Sequence, residues 1–146
     1  TARVASDLAG ILDDPTVHRI RPRTDRRYSN WLLRSFVPGS SVPIEPIATD
    51  LSNADTLFVG SPKWTLSCPP VTEYLARLEA TDVPTGVFLT YGGFDETRYM
   101  DNLVAQVRNA GADVVATLLV QRDRVGSGEY RAGLESFVTA VLDERR

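Results

Sequence analysis

One cysteine (Cys68), one histidine (His18) and one methionine in 146 residues exclude several kinds of protein at once. A lone thiol closes no intrachain disulfide, so this is not a stapled, secreted scaffold. One histidine and one cysteine far apart in the chain form no metal-ligand cluster. No run approaches the roughly 18 consecutive apolar residues of a membrane span, and the first residues carry no signal-peptide pattern. The expectation is therefore a cytoplasmic protein. Gly-x-Gly-x-x-Gly and Gly-x-Ser-x-Gly are both missing, which argues against a dinucleotide-binding Rossmann domain and a serine hydrolase. Net positive charge is missing too: the chain carries −3 with a pI near 5.1, and nucleic-acid binders are normally basic.

What is present is enough for one core. The composition is 42% hydrophobic, and prolines and glycines are scattered without a linker or a repeat. Residues 1–146 are read as a single domain. Val4, Leu8, Ile11 and Leu12 recur at helical spacing after Thr1, a residue suited to cap a helix, so residues 2–12 are predicted helical. Asp13, Asp14 and Pro15 end that helix, and residues 17–20 alternate like a short strand. Residues 22–48 read as a long connection or insertion, with a short amphipathic helix around Trp31, Leu32, Leu33, Phe36 and Val37.

From there the pattern is regular. Leu57–Val59 form an apolar run, and Val71, Tyr74, Leu75 and Leu78 follow at helical spacing. Gly86–Thr90 repeats the strand, with Leu103, Val104 and Val107 on the next helix. Val114–Val120 is a third strand, and Tyr130, Leu134, Phe137, Val138, Val141 and Leu142 mark a closing helix. Continuous apolar strands alternating with helices predict a parallel sheet covered on both faces, an α/β fold.

Two loops carry the functional signal. Gly60-Ser61-Pro62-Lys63-Trp64 follows the first apolar strand, with Pro69-Pro70-Val71 opening the next helix, where proline is well tolerated. Thr90-Tyr91-Gly92-Gly93-Phe94 follows the second strand; consecutive glycines allow close backbone approach, and Tyr91 or Phe94 can lie against a flat ring. In both motifs, and over residues 50–142, the chain resembles the flavodoxin family, including flavodoxin-like NAD(P)H:quinone reductases. A phospho-receiver domain shares the strand order but needs acidic and lysine residues where this chain has Gly60-Ser61 and Gln121-Arg122.

The resemblance implies a three-layer, doubly wound parallel sheet of order 2-1-3-4-5 that binds FMN at the carboxyl ends of its strands. Residues 17–20 would be strand 2, and strand 1 is absent from the sequence. It also implies a site: Trp64 and Tyr91 flanking the isoalloxazine ring, backbone groups of Ser61, Pro62, Lys63, Trp64, Thr65 and Leu66 and of Tyr91, Gly92, Gly93 and Phe94 along its polar edge, and Thr90 at the second strand end. Thr1 matches the last threonine of the family's phosphate loop, at a helix N-terminus. The implied activity is electron transfer or two-electron reduction of a quinone-like acceptor, as a flavodoxin-type carrier or an FMN-dependent NAD(P)H:quinone oxidoreductase. Thr65 and Leu66 stand where one-electron flavodoxins commonly have glycine after the tryptophan, which favours the two-electron reading. The implied partners are a redox protein or a small quinone-like acceptor, with NAD(P)H as a further candidate; a homo-oligomer stays open. The alternative is a flavodoxin-like docking or regulatory subunit without FMN.

Lys63 is also a candidate to stabilise a reduced ring; the bland reading is a solvated strand-end lysine. Cys68 reads mainly as a small packed residue, and His18 as structural. Between His18 and Arg34 stand Arg19, Arg21, Arg23, Arg26, Arg27 and Arg34 against Asp25. That segment, with Tyr28, Trp31 and Phe36 among the bases, reads first as a solvated basic surface, second as a dock for an acidic partner or a nucleotide phosphate.

Overall fold

The computed structural model describes residues 1–24 and 27–145, less the side chain of Tyr28. Asp25, Arg26 and that side chain, part of the basic segment read from the sequence, lie outside the described residues. The fold is mixed α/β: a parallel sheet of β1 (Leu57–Pro62), β2 (Pro84–Tyr91) and β3 (Asp113–Gln121) in the order β1-β2-β3. The described helices are α1 (Ala2–Ala9), α2 (Tyr28–Ser35), α3 (Pro69–Arg77), α4 (Glu96–Asn109), α5 (Arg122–Ser127) and α6 (Arg131–Glu144).

β2 is the centre of the sheet, and the burial of its middle follows from pairing on both sides. Val87 and Leu89 pack into a cluster with Val71, Tyr74 and Leu75 of α3 and Leu103 and Val107 of α4. Phe88 points the other way and joins Val4 and Leu8 of α1 with Leu134, Phe137 and Val138 of α6. The period-2 alternation of a strand thus feeds two apolar layers, and the near-continuous apolar sequence GVFLT is explained by burial on both faces. Each of these residues that is fully buried contributes roughly 1.5–3 kcal/mol of transfer free energy.

Local chemistry sets the helix limits. α3 begins with Pro69 and Pro70 in its first turn, where their missing N–H groups forfeit nothing. α4 starts after Asp95, which takes a left-handed conformation at φ 62°, one that aspartate tolerates better than most non-glycine residues. α5, directly after β3, has no counterpart in the sequence reading. Its six residues bury no side chain, so no apolar period announced it.

Three expectations are corrected at the N-terminal end. α1 stops at Ala9, with Ile11 43% exposed: two residues of the apolar pattern lie beyond the helix. Residues 17–20 form no strand; Val17, His18 and Arg19 are exposed and lack a ladder partner, while Pro22 bridges antiparallel to Ile44. A short alternating run needs a sheet edge to become a strand, and this one has none beside it. Thr1 stands at the N-cap of α1, but its hydroxyl makes no capping bond; it is engaged elsewhere.

The 22–48 connection is folded against the rest. α2 is the short helix expected there, the Arg23 N–H donates to the Pro43 carbonyl, and Val42 and Ile44 are buried. Its far end is tied down where the Tyr74 hydroxyl donates to the Ala48 carbonyl at 3.1 Å.

A candidate site at the carboxyl edge of the sheet

Because all three strands run parallel, β1, β2 and β3 end on one edge. Pro62 of β1 is level with Thr90 of β2, and Tyr91 of β2 with Gln121 of β3. The two loops singled out in the sequence therefore leave adjacent strands side by side. They are joined directly: the Lys63 N–H donates to the Thr90 carbonyl at 2.7 Å. Thr1 reaches the same place, its hydroxyl 2.5 Å from that of Thr90. The Thr1 hydroxyl thus joins the helix start to the end of β2 instead of capping α1.

Within the first loop, Ser61 is fully buried and Pro62, Lys63, Trp64 and Thr65 are half-buried, while Leu66 is 54% exposed. In the second, Thr90 is buried and Tyr91 half-buried; Gly92 and Gly93 are open, and Phe94 is 85% exposed. The Lys63 ammonium lies 5.5 Å from the centre of the Phe94 ring and 5.9 Å from that of Tyr99, within cation–π range of both. Phe94 and the lysine thus form a second link between the loops.

Beneath the first loop is a small polar cluster. Ser61, Ser67, Cys68, Tyr99, Asn102 and Gln106 are among the residues that line a cavity of about 20 Å³, room for about one water. Burial pushes the Cys68 thiol up to about 11, against the opposing effects of the Val71 N–H and the Ser61 hydroxyl. Burial also raises the Tyr99 phenol, reinforced by Cys68 and opposed by the Ser61 hydroxyl and the Trp64 backbone. Both groups are therefore held protonated at neutral pH. A buried thiol in that state is not a ready nucleophile.

The structure adds residues that the sequence reading had not connected to these loops. Trp31 of α2 packs on Trp64 with ring centres 5.9 Å apart and planes tilted by 58°. The carbonyl of Ser35, at the end of the same helix, accepts from the N–H groups of Leu66 and Ser67 at 2.9 and 3.0 Å, and the Ser35 hydroxyl is 2.6 Å from that of Thr65. The Ser67 hydroxyl donates to the Val37 carbonyl at 3.1 Å. The insertion is thus a wall of the loop. In the sequence Trp31 reads as part of a short amphipathic helix and as one aromatic residue among bases, and spacing alone gives no signal that residues 31–35 and 64–67 meet. From the other side comes Arg122, the first residue of α5. A Cβ on Gly92 would lie 3.5 Å from its guanidinium carbon, which places a cation beside the second loop.

His18 is exposed and stands outside these contacts. Among the described residues no group of three or more histidine, cysteine, aspartate or glutamate side chains is arranged to hold a metal ion, and no helix is long and apolar enough to cross a membrane.

No family model matches the chain. Over 95 residues it is 37% identical to an uncharacterized protein of Archaeoglobus fulgidus (strain ATCC 49558), a stretch that is 65% of this chain and 62% of that protein. The chain thus spans less than two thirds of the relative's length.

Proposed function

We propose that the chain is a flavodoxin-like domain that binds FMN at the carboxyl edge of its sheet and serves in redox chemistry. In this reading β1, β2 and β3 are strands 3, 4 and 5 of a 2-1-3-4-5 sheet. Strand 1 would pair along the outer edge of β1, which no strand covers among the described residues, and would lead into α1. The observation that carries the reading is the convergence of Trp64, Tyr91 and the N-terminus of α1 on two adjacent strand ends joined through Lys63 and Thr90.

The donor set suits such a group. Trp64 and Tyr91 are half-buried aromatic walls, and Gly92 and Gly93 leave the second loop open to a flat ligand. The start of α1 and the Arg122 guanidinium supply positive potential for a phosphate. The N–H groups of Lys63 and Leu66 already have protein acceptors, so the ring's polar edge would fall to other backbone groups of residues 61–65 and 91–94. When bound, the flavin supplies the electron or hydride transfer. The chain's own part is to clamp the ring, shield it with the α2 wall and place Lys63 near it. With Thr65 and Leu66 after Trp64, and no positive φ at either, the reading favours two-electron reduction of a quinone-like acceptor.

A second reading has its own support. Trp64 is packed on Trp31, and Lys63 on Phe94 and Tyr99, so the first loop is satisfied within the protein, as a docking module without FMN would have it. Visible absorption spectra with and without added FMN, for this chain and for one extended upstream of Thr1, separate the two. Flavin bands retained after desalting, and weakened by Trp64→Ala, establish the first reading; colourless protein in both cases leaves the docking module.

A further inference from the structure

Exposed large apolar side chains are not evenly spread over this protein. Of the nine among the described residues, Leu32, Leu33, Phe36, Val37 and Leu66 belong to α2, the two residues after it and the loop residue bonded to its end. Trp31 and Ser35 share the side of α2 that packs on the 64–67 loop. Leu32 and Leu33 of α2, with Phe36 and Val37 just beyond its end, are left uncovered, with exposures from 38 to 71%. Arg27, exposed at the start of the same helix, and Arg34, half-buried in its last turn, bring positive charge to this element. Arg19, Arg21 and Arg23 precede it and are exposed. Since residues 18–34 hold six arginines against one acid in a chain of net charge −3, the rest of the chain is distinctly acidic and the positive charge is concentrated in the segment that carries this ridge.

We propose that α2 and its flanking arginines form a docking face for an anionic lipid surface, with Leu33, Phe36 and Val37 entering the headgroup boundary and the arginines pairing with lipid phosphates. Helices that expose aliphatic and aromatic residues together with basic ones bind in the plane of an anionic bilayer. The charge asymmetry orients the molecule before contact, because the acidic remainder is repelled by the surface that attracts the ridge. Two alternatives fit less well. A two-fold pairing of copies across the ridge would bring two basic segments together. A specific protein partner needs close shape complementarity over about 800 Å² per side, whereas a bilayer asks only for apolar side chains and positive charge. The proposal does not rest on the flavin reading. If both hold, the helix that touches the membrane is also the wall of Trp64, so the site opens near a source of lipophilic acceptors.

Co-sedimentation with vesicles tests this on the chain as it stands. Binding to equal parts of phosphatidylglycerol and phosphatidylcholine should exceed binding to phosphatidylcholine alone by at least about tenfold and should fall as salt is raised. Leu33→Asp with Phe36→Asp, both at exposed positions, should abolish it without changing the circular dichroism spectrum. Arg27→Gln with Arg34→Gln should weaken it by about thirtyfold on the anionic vesicles only. Three results would overturn the proposal: no sedimentation with anionic vesicles, equal binding to both compositions, or unchanged binding of the Leu33 and Phe36 variant. A concentration-dependent oligomer abolished by that variant, with no vesicle binding, would overturn it in favour of a second copy.

Discussion

The ring of Phe88 fills the space in which a side chain at Gly60 would stand: a Cβ at Gly60 would lie 2.0 Å from the Phe88 Cζ atom. The two residues are partners across β1 and β2. The glycine that opens the Gly-Ser-Pro-Lys-Trp motif is thus required by packing beneath the sheet, whatever the loop above it binds.

Gly60→Ala should destabilise the protein by about 1–3 kcal/mol or more, since a buried ring between packed layers has little room to move. Urea denaturation checks this. Adding Phe88→Leu should recover part of the loss, and a double-mutant cycle would show the coupling.

The contact between α2 and the first loop should also be measurable. A cycle of Trp31→Ala and Trp64→Ala is expected to give a coupling of about 0.5–1.5 kcal/mol, and Ser35→Ala a loss of about 1 kcal/mol for its hydroxyl bond to Thr65. Additive effects at Trp31 and Trp64 would mean that the rings do not support each other.

Asp7 and Tyr130 link α1 to the start of α6 through a 2.5 Å hydrogen bond from the phenol to the carboxylate. That bond, with Arg131 and Arg3 nearby, holds the Asp7 carboxyl below its ordinary value of 3.8 despite some desolvation. The stabilisation is therefore full above the unfolded-state pKa and is lost as pH falls through the folded one. The phenol is raised, by burial first and then by Asp7, so its share is full below about pH 10 and is lost as pH rises through the raised pKa. The difference in Tm between wild type and Asp7→Asn should accordingly hold steady above about pH 5 and shrink as pH falls below about 4. A constant difference would exclude the linkage.

Cys68 should resist alkylation by iodoacetamide at neutral pH in the folded protein and react readily once denatured. It is 5% exposed, and its thiol is pushed up to about 11. Rapid native-state labelling, read by mass spectrometry, would contradict this burial.

Residues 57–142 were largely legible in the sequence because each strand there is a short apolar run and each long helix carries its apolar period, so local pattern and burial agree. The Pro69-Pro70 start of α3 was legible for the same reason. Residues 10–20 misled, since apolar spacing at Ile11 and alternation at residues 17–20 are local signals, and Ile11 and Val17 stay exposed.

The sequence by itself determined the parallel α/β alternation and put both candidate loops directly after strands, because strand period, helix period and turn residues are properties of a few consecutive side chains. What those loops touch follows from the way the layers close on one another. That Trp31 covers Trp64, that Ser35 holds the 64–67 loop, that Thr1 bonds to Thr90 and that Phe88 excludes a side chain at Gly60 are contacts between residues distant in the chain. They depend on how strands register and layers close, and no local pattern encodes them.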